Sequence, residues 1–122
     1  MEFINALISL INPSVLMFLL VGVFLGSLIG TLPGLTATMG IALLVPLTFW
    51  LDSTSGFAML IGLWNSAIWS GGISAILINT PGTPASIMTT LDGYELTKKG
   101  HARLALDINT IGSVFGGLFS TL

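Results

Sequence analysis

Charge is what this sequence lacks most. Of 122 residues only 7% are Asp, Glu, Lys or Arg, whereas 53% are hydrophobic and the mean hydropathy is +1.01. Soluble domains carry roughly 25% charged residues, so this composition excludes an ordinary aqueous surface. A soluble core cannot hide the deficit, because a chain this short still exposes much of its surface. Cysteine is absent, which removes disulfide frameworks, thiolate metal sites and cysteine nucleophiles. No basic patch interleaved with aromatics exists, so nucleic acid is not indicated as a partner. The N-terminus carries Glu2 where a cleaved signal peptide has a basic region, and no cleavage site follows. The apolar runs contain no acid, base or metal ligand, so an intramembrane enzyme lacks its chemistry and no cofactor is implied.

The few charges are also unevenly placed. Between Phe3 and Leu91 the only formal charge is Asp52, and then Asp92, Glu95, Lys98, Lys99, Arg103 and Asp107 crowd together. Uncharged stretches followed by a charged strip are the pattern of membrane spans and a connecting loop. The expected fold is an all-α integral membrane protein with broken transmembrane helices, and with re-entrant hairpins an option. Apolar runs at about 15–32, 37–51, 57–78 and 108–122 make one membrane domain, with a charged cytoplasmic loop at 92–107. An interfacial helix or lead-in at 3–11 precedes them. The last run is shorter than the ~20 residues of a span, so the chain reads as truncated. All three Lys and Arg residues fall between Lys98 and Arg103, which places that strip in the cytoplasm. If the three long runs each cross once, the N-terminus lies outside; a re-entrant hairpin would reverse that parity.

Gly22, Gly26 and Gly30 recur once per turn in the first run, the spacing of a face that another backbone approaches closely. This predicts helix packing rather than a dimerisation motif. The run 57–78 is interrupted by Asn65, Ser66, Ser70, Gly71-Gly72 and Ser74. Polar groups at that depth need protein or a watery cavity beside them. Trp50 suits the membrane–water interface, Asp52 is an exposed loop or helix-capping residue, and Asp92-Gly93 is expected to turn.

Two segments resemble each other. Thr31-Leu32-Pro33-Gly34-Leu35-Thr36-Ala37-Thr38 aligns with Asn79-Thr80-Pro81-Gly82-Thr83-Pro84-Ala85-Ser86, sharing proline, glycine, alanine and a closing hydroxyl. Pro-Gly stops one helix, Thr36 or Thr83 can cap the next, and Pro84 sits where a first turn accepts proline. The first N–H groups of such a helix carry partial positive charge and have no intrahelical acceptor, which suits a carboxylate. The competing reading is two ordinary surface loops. A full crossing by 15–32 would also carry Pro33 to a membrane surface, so the first junction is a site only if that helix is tilted or displaced.

The run Gly30-Thr31-Leu32-Pro33-Gly34-Leu35 followed by Ile41-Ala42-Leu43-Leu44-Val45-Pro46 resembles the large membrane subunit of tripartite tricarboxylate transporters, the TctA family. So does Gly71-Gly72-Ile73-Ser74 leading into Asn79-Thr80-Pro81-Gly82-Thr83-Pro84-Ala85-Ser86, with Asp92-Gly93-Tyr94 beyond it. Members of that family are several times longer, so the chain would be an N-terminal piece of an incomplete transporter bundle. The resemblance implies cation-gradient-driven symport of tricarboxylates or related small carboxylates across a bacterial cytoplasmic (inner) membrane, by a multi-pass subunit coupled to Na+ or H+. It implies two partners, a small membrane subunit and a periplasmic substrate-binding protein.

The candidate substrate-binding residues are Pro33, Gly34, Thr36 and Thr38 at the first junction, and Asn79, Thr80, Pro81, Gly82, Thr83, Pro84, Ala85 and Ser86 at the second. The expected donors are the amides from Gly82 to Ser86 and from Leu35 to Thr38. Thr36 stands where many relatives carry glycine, which leaves the exact substrate open. The alternative is a non-transporting accessory membrane protein that packs against partners through the Gly22/Gly26/Gly30 face.

Overall fold

The computed structural model describes all residues from Met1 to Leu122, and every regular element is helical. They are α1 (Glu2–Leu10), α2 (Pro13–Thr31), α3 (Ala37–Thr48), α4 (Ser53–Ile78), α5 (Ile87–Lys98) and α6 (Ala102–Thr121), with one 3-10 turn (Pro84–Ser86) before α5. Helices α2 and α4 are long and apolar enough to cross a membrane. At 1.5 Å per residue they measure about 28 and about 39 Å, against a hydrocarbon core of ~30 Å.

Local signals account for the starts. Asn12 accepts from Ser14 N at 3.2 Å with Pro13 behind it, Thr36 accepts from Met39 N at 3.2 Å, and Asp52 Oδ2 accepts from Ser55 N at 3.1 Å. Each side chain satisfies one N–H that the first turn leaves without an acceptor.

The centre of the structure is the pairing of α2 with α4. Gly22, Gly26 and Gly30 lie against the backbones of Met59, Leu63 and Ala67, in the same order along both helices, so the two run parallel. Leu63 and Ala67 are wholly buried there. A methyl at any of the three glycines would overlap a facing carbonyl oxygen. From the other side Gly62 approaches Leu19 O, Ser66 Oγ donates to Val23 O at 2.6 Å, and Ser70 Oγ donates to Gly26 O at 3.4 Å. The expected packing face therefore exists, and its partner is α4 of the same chain.

Helix α3 returns the chain between these parallel helices. Gly40 packs on Ile29 and Leu63 near its start, and Thr48 sits against Gly56 at its end. The helix stops at Thr48, short of the run expected to 51. Its 12 residues span about 18 Å, less than a hydrocarbon core.

Three local expectations need correction. Gly71-Gly72 does not interrupt α4, which is one unbroken helix with both glycines buried. Asp92-Gly93 is not a turn: α5 continues through it, and Gly93 lets the helix press on Ile76, where a Cβ would stand 2.7 Å from Cγ1. Packing there outweighs the ~1 kcal/mol that glycine costs inside a helix.

The charged strip is not one loop but the end of α5 and the start of α6. The break falls at Lys99–His101, where Gly100 takes φ +82 and His101 N donates to Leu96 O at 2.8 Å. On α5, Glu95 pairs with Lys98, which also lies 5.3 Å from the Tyr94 ring centre. Thr97 Oγ1 donates to Ile76 O at 2.7 Å, and Asn109 Nδ2 to Trp69 O at 3.4 Å, tying α5 and α6 to α4.

Substitution separates structural glycines from spare ones. Gly26→Ala forces a methyl into the Leu63 carbonyl and is expected to destabilise the protein by about 1–3 kcal/mol or more. Gly116→Ala meets nothing within 4 Å and is expected to stabilise by ~0.5–1 kcal/mol through backbone entropy. Thermal unfolding in detergent reads both; equal losses would contradict the packing described.

Candidate functional site

The second junction is set by how α4 ends. Asn79 takes the left-handed conformation, φ 57, and stops the helix. The chain then doubles back along α4. Gly82 N donates to Gly71 O at 3.3 Å, seven residues before the last helical residue and about 10 Å down the axis. Gly82 is buried against Gly71 on one side and the Gly30 carbonyl on the other; a Cβ there would overlap Gly30 O and stand 2.9 Å from Ser74 Oγ. Only glycine fits three backbones at this crossing.

This fold-back sets the second junction against the end of α2, just ahead of the first junction. Gly30 is in the last turn of α2, and Pro33-Gly34 follows it, with Gly34 exposed at φ +93. Of the twelve candidate residues, Gly82, Thr83 and Ser86 are buried and Pro81 and Thr36 half-buried. Pro33, Gly34, Thr38, Asn79, Thr80, Pro84 and Ala85 are exposed. Three residues absent from the expected set belong to the crossing, Gly30, Gly71 and Ser74. The signal for Gly30 and Ser74 was present in the four-residue spacing of Gly62, Ser66, Ser70 and Ser74, which matches the glycines of α2.

The amides do not divide as expected. From Gly82 to Ser86 most are spent internally: Gly82 N on Gly71 O, Thr83 N on Ser86 Oγ at 3.4 Å, and Ser86 N on Thr83 O at 3.0 Å. Pro84 has no N–H, which leaves Ala85. At the first junction Leu35 N bonds to Leu32 O, whereas the N–H groups of Thr36, Ala37 and Thr38 make no hydrogen bond. The richer set of free donors is therefore at the start of α3, where the helix dipole adds partial positive charge. Thr83 and Ser86 face each other across the 3-10 turn as a capping box, Ser86 Oγ towards Thr83 N and Thr83 Oγ1 towards Ser86 N, the second contact falling short of a hydrogen bond. Ser86 Oγ donates to Thr83 O at 2.8 Å, while Thr83 Oγ1 is buried with no partner. No cluster of His, Cys, Asp or Glu suited to a metal is present.

Three surface grooves lie elsewhere. The roomiest, about 650 Å³, runs between α2, α4 and α6 and carries Ser27, Asn65, Trp69, Thr110 and Ser113 among apolar residues. None of the three is lined by residues of either junction.

Comparison with known proteins bears on what the crossing is for. The family described as the tripartite tricarboxylate transporter TctA family matches residues 16–122. An uncharacterized 52.8 kDa protein in the TAR-I ttuC' 3' region of Agrobacterium vitis is 41% identical over 112 residues, covering 92% of this chain. The chain spans 22% of that relative's length. No solved structure matches.

Gly82→Ala tests the crossing directly. It is expected to lower the unfolding temperature and to loosen the α2–α4 contact, read as faster hydrogen exchange at Gly30 and Gly71. Unchanged stability and exchange would show that the three backbones do not meet.

Proposed function

Because this chain belongs to the tripartite tricarboxylate transporter TctA family, we propose that it forms part of a membrane subunit that takes up tricarboxylates or related small carboxylates. The proposed setting is a bacterial cytoplasmic membrane, with a small membrane subunit and a periplasmic substrate-binding protein as partners and a cation gradient, Na+ or H+, as driving force. The observation that supports this reading is that the second Pro-Gly junction folds back onto the end of α2, with Gly82 against the Gly30 carbonyl, one residue ahead of the first junction. The second junction drops back beside the end of α2 instead of sitting at the tip of α4.

The chemistry is that of helix ends. The unpaired amides of Thr36, Ala37 and Thr38, with Ala85 from the second junction, supply donors to carboxylate oxygens without an arginine. Thr80 and Asn79, both exposed, add side-chain polar groups. Discontinuous helices are a recurrent device of secondary transporters, because a helix terminus binds an ion at depth and one bundle can move against another around it. The rival reading, an accessory protein docking through Gly22, Gly26 and Gly30, loses its surface, since α4 already covers that face.

The absence of cysteine makes single-cysteine labelling a clean test. In the transporter carrying Thr38→Cys or Ala85→Cys, a tricarboxylate is expected to slow maleimide labelling several-fold, and a neutral analogue to leave it unchanged. Phe119→Cys, exposed on α6, serves as the unprotected control. Uptake that proceeds with no protection at either junction position would place the substrate elsewhere.

A further inference from the structure

We propose that α1 is a lipid-binding anchor: an amphipathic helix lying in the plane of the bilayer with its apolar face among the acyl chains. With Phe49-Trp50 it marks the membrane boundary opposite the Lys98–Arg103 strip. The proposal goes beyond the transport reading and needs only that α2 crosses the membrane. Three observations carry it.

First, α1 sorts its residues by face. At about 100° per residue, Glu2, Asn5 and Ser9 share an arc of about 60°, and Phe3, Ile4, Ala6, Leu7, Ile8 and Leu10 fill the rest of the helix. No residue of α1 is buried, so the chain itself covers none of that apolar surface. Nine residues are also too few to hold a helix in water, where isolated helices shorter than ~12–15 residues are marginal. An apolar surface outside the chain has to supply the stability.

Second, α1 is not the start of the span. Asn12 leaves the helical region at φ −57 and ψ 131 and caps α2 with its side chain, so the two helices have separate axes. Helix α2 alone nearly matches the ~30 Å hydrocarbon core, and α1 would add about 14 Å to it. A chain that enters the core at Pro13 leaves α1 at its edge.

Third, another boundary marker stands at the same height. The contacts Gly22–Met59, Gly26–Leu63 and Gly30–Ala67 each differ by 37 in residue number. That register sets Ser53, the first residue of α4, beside Leu16 in the first turn of α2, with the Phe49-Trp50 turn just ahead of it. Trp50 is 89% exposed there, and aromatic rings of this kind belong at the headgroup level. The Lys and Arg residues lie at the other end. Gly93 and Thr97 of α5 rest on Ile76, about 35 Å along α4 from Ser53, and Lys98 follows directly. Positively charged loops stay in the cytoplasm, which puts α1 and Trp50 at the outer boundary.

The side chains of α1 choose lipid over another protein helix. In lipid, helices are held together by close backbone approach across small residues, as the glycines of α2 achieve against α4. The apolar face of α1 is bulky instead, with Phe3, Ile4, Leu7 and Ile8. Such side chains keep a partner backbone away and bury themselves ~5–10 Å into the boundary between headgroups and acyl chains.

Because the chain has no cysteine, single-cysteine spin labels on the full protein in phosphatidylethanolamine–phosphatidylglycerol vesicles read this placement. Labels at Ile4, Leu7 and Ile8 are expected to sit at one shallow depth. Their accessibility to dissolved oxygen relative to a water-soluble nickel chelate is expected to be several-fold above that at Asn5 and Ser9. A depth that increases steadily from Ile4 to Ile8 makes α1 part of the span and overturns the proposal. Labels on the apolar face shielded from both reagents, as under a protein partner, overturn it too, as does equal nickel access all round the helix. In right-side-out membrane vesicles an impermeant maleimide is expected to label Asn5→Cys and to spare Lys99→Cys. The reverse, or labelling of both, overturns the assignment of the outer boundary.

Discussion

Everything in this molecule depends on two parallel helices approaching until their backbones touch. In lipid, apolar side chains gain nothing by leaving the solvent, so helices associate through close packing and through hydrogen bonds. Gly22, Gly26 and Gly30 supply the close packing by presenting no side chain to α4. Ser66 and Ser70 supply the hydrogen bonds by donating to carbonyls of α2 across the seam. Each element then finds its place relative to this pair. Helix α3 returns along it, the Pro81-Gly82 turn lies over its upper end, α5 leans on the part of α4 that extends beyond α2, and α6 meets α4 at Trp69 and Gly72.

The same constraint explains why polar residues are tolerated at depth in so uncharged a chain. A serine in a buried helix satisfies its hydroxyl on a backbone carbonyl, and most do so here: Ser66 on Val23, Ser74 on Gly71, Ser86 on Thr83. Against that background Thr83 Oγ1 and the Gly30 carbonyl stand out at the crossing, because neither makes a hydrogen bond.

Much of the architecture was legible in the residues. The caps at Thr36 and Asp52 read correctly because an N-cap is a local device, fixed by a side chain two or three residues from its N–H. The glycine face read correctly because helical periodicity is local too. Gly71-Gly72 and Asp92-Gly93 misled for one shared reason: glycine is scored as a breaker by propensity, but against a neighbouring helix its missing side chain is what allows the helix to continue. The free amides were misassigned for another reason. Whether an N–H is spent depends on Gly71 O and Ser86 Oγ, and their positions follow from the fold-back.

The sequence by itself determined the medium, the helical class, the family and the two Pro-Gly junctions, because charge content, apolar run length and short motifs are properties of adjacent residues. Only the tertiary structure decided that the second junction packs on the end of α2. Nothing local relates Gly30 to Gly82; they are joined because Asn79 turns the chain back onto α4 and because the glycines of α2 hold that helix against the same surface. The crossing is therefore a property of three backbones in contact, and no single stretch of the chain contains it.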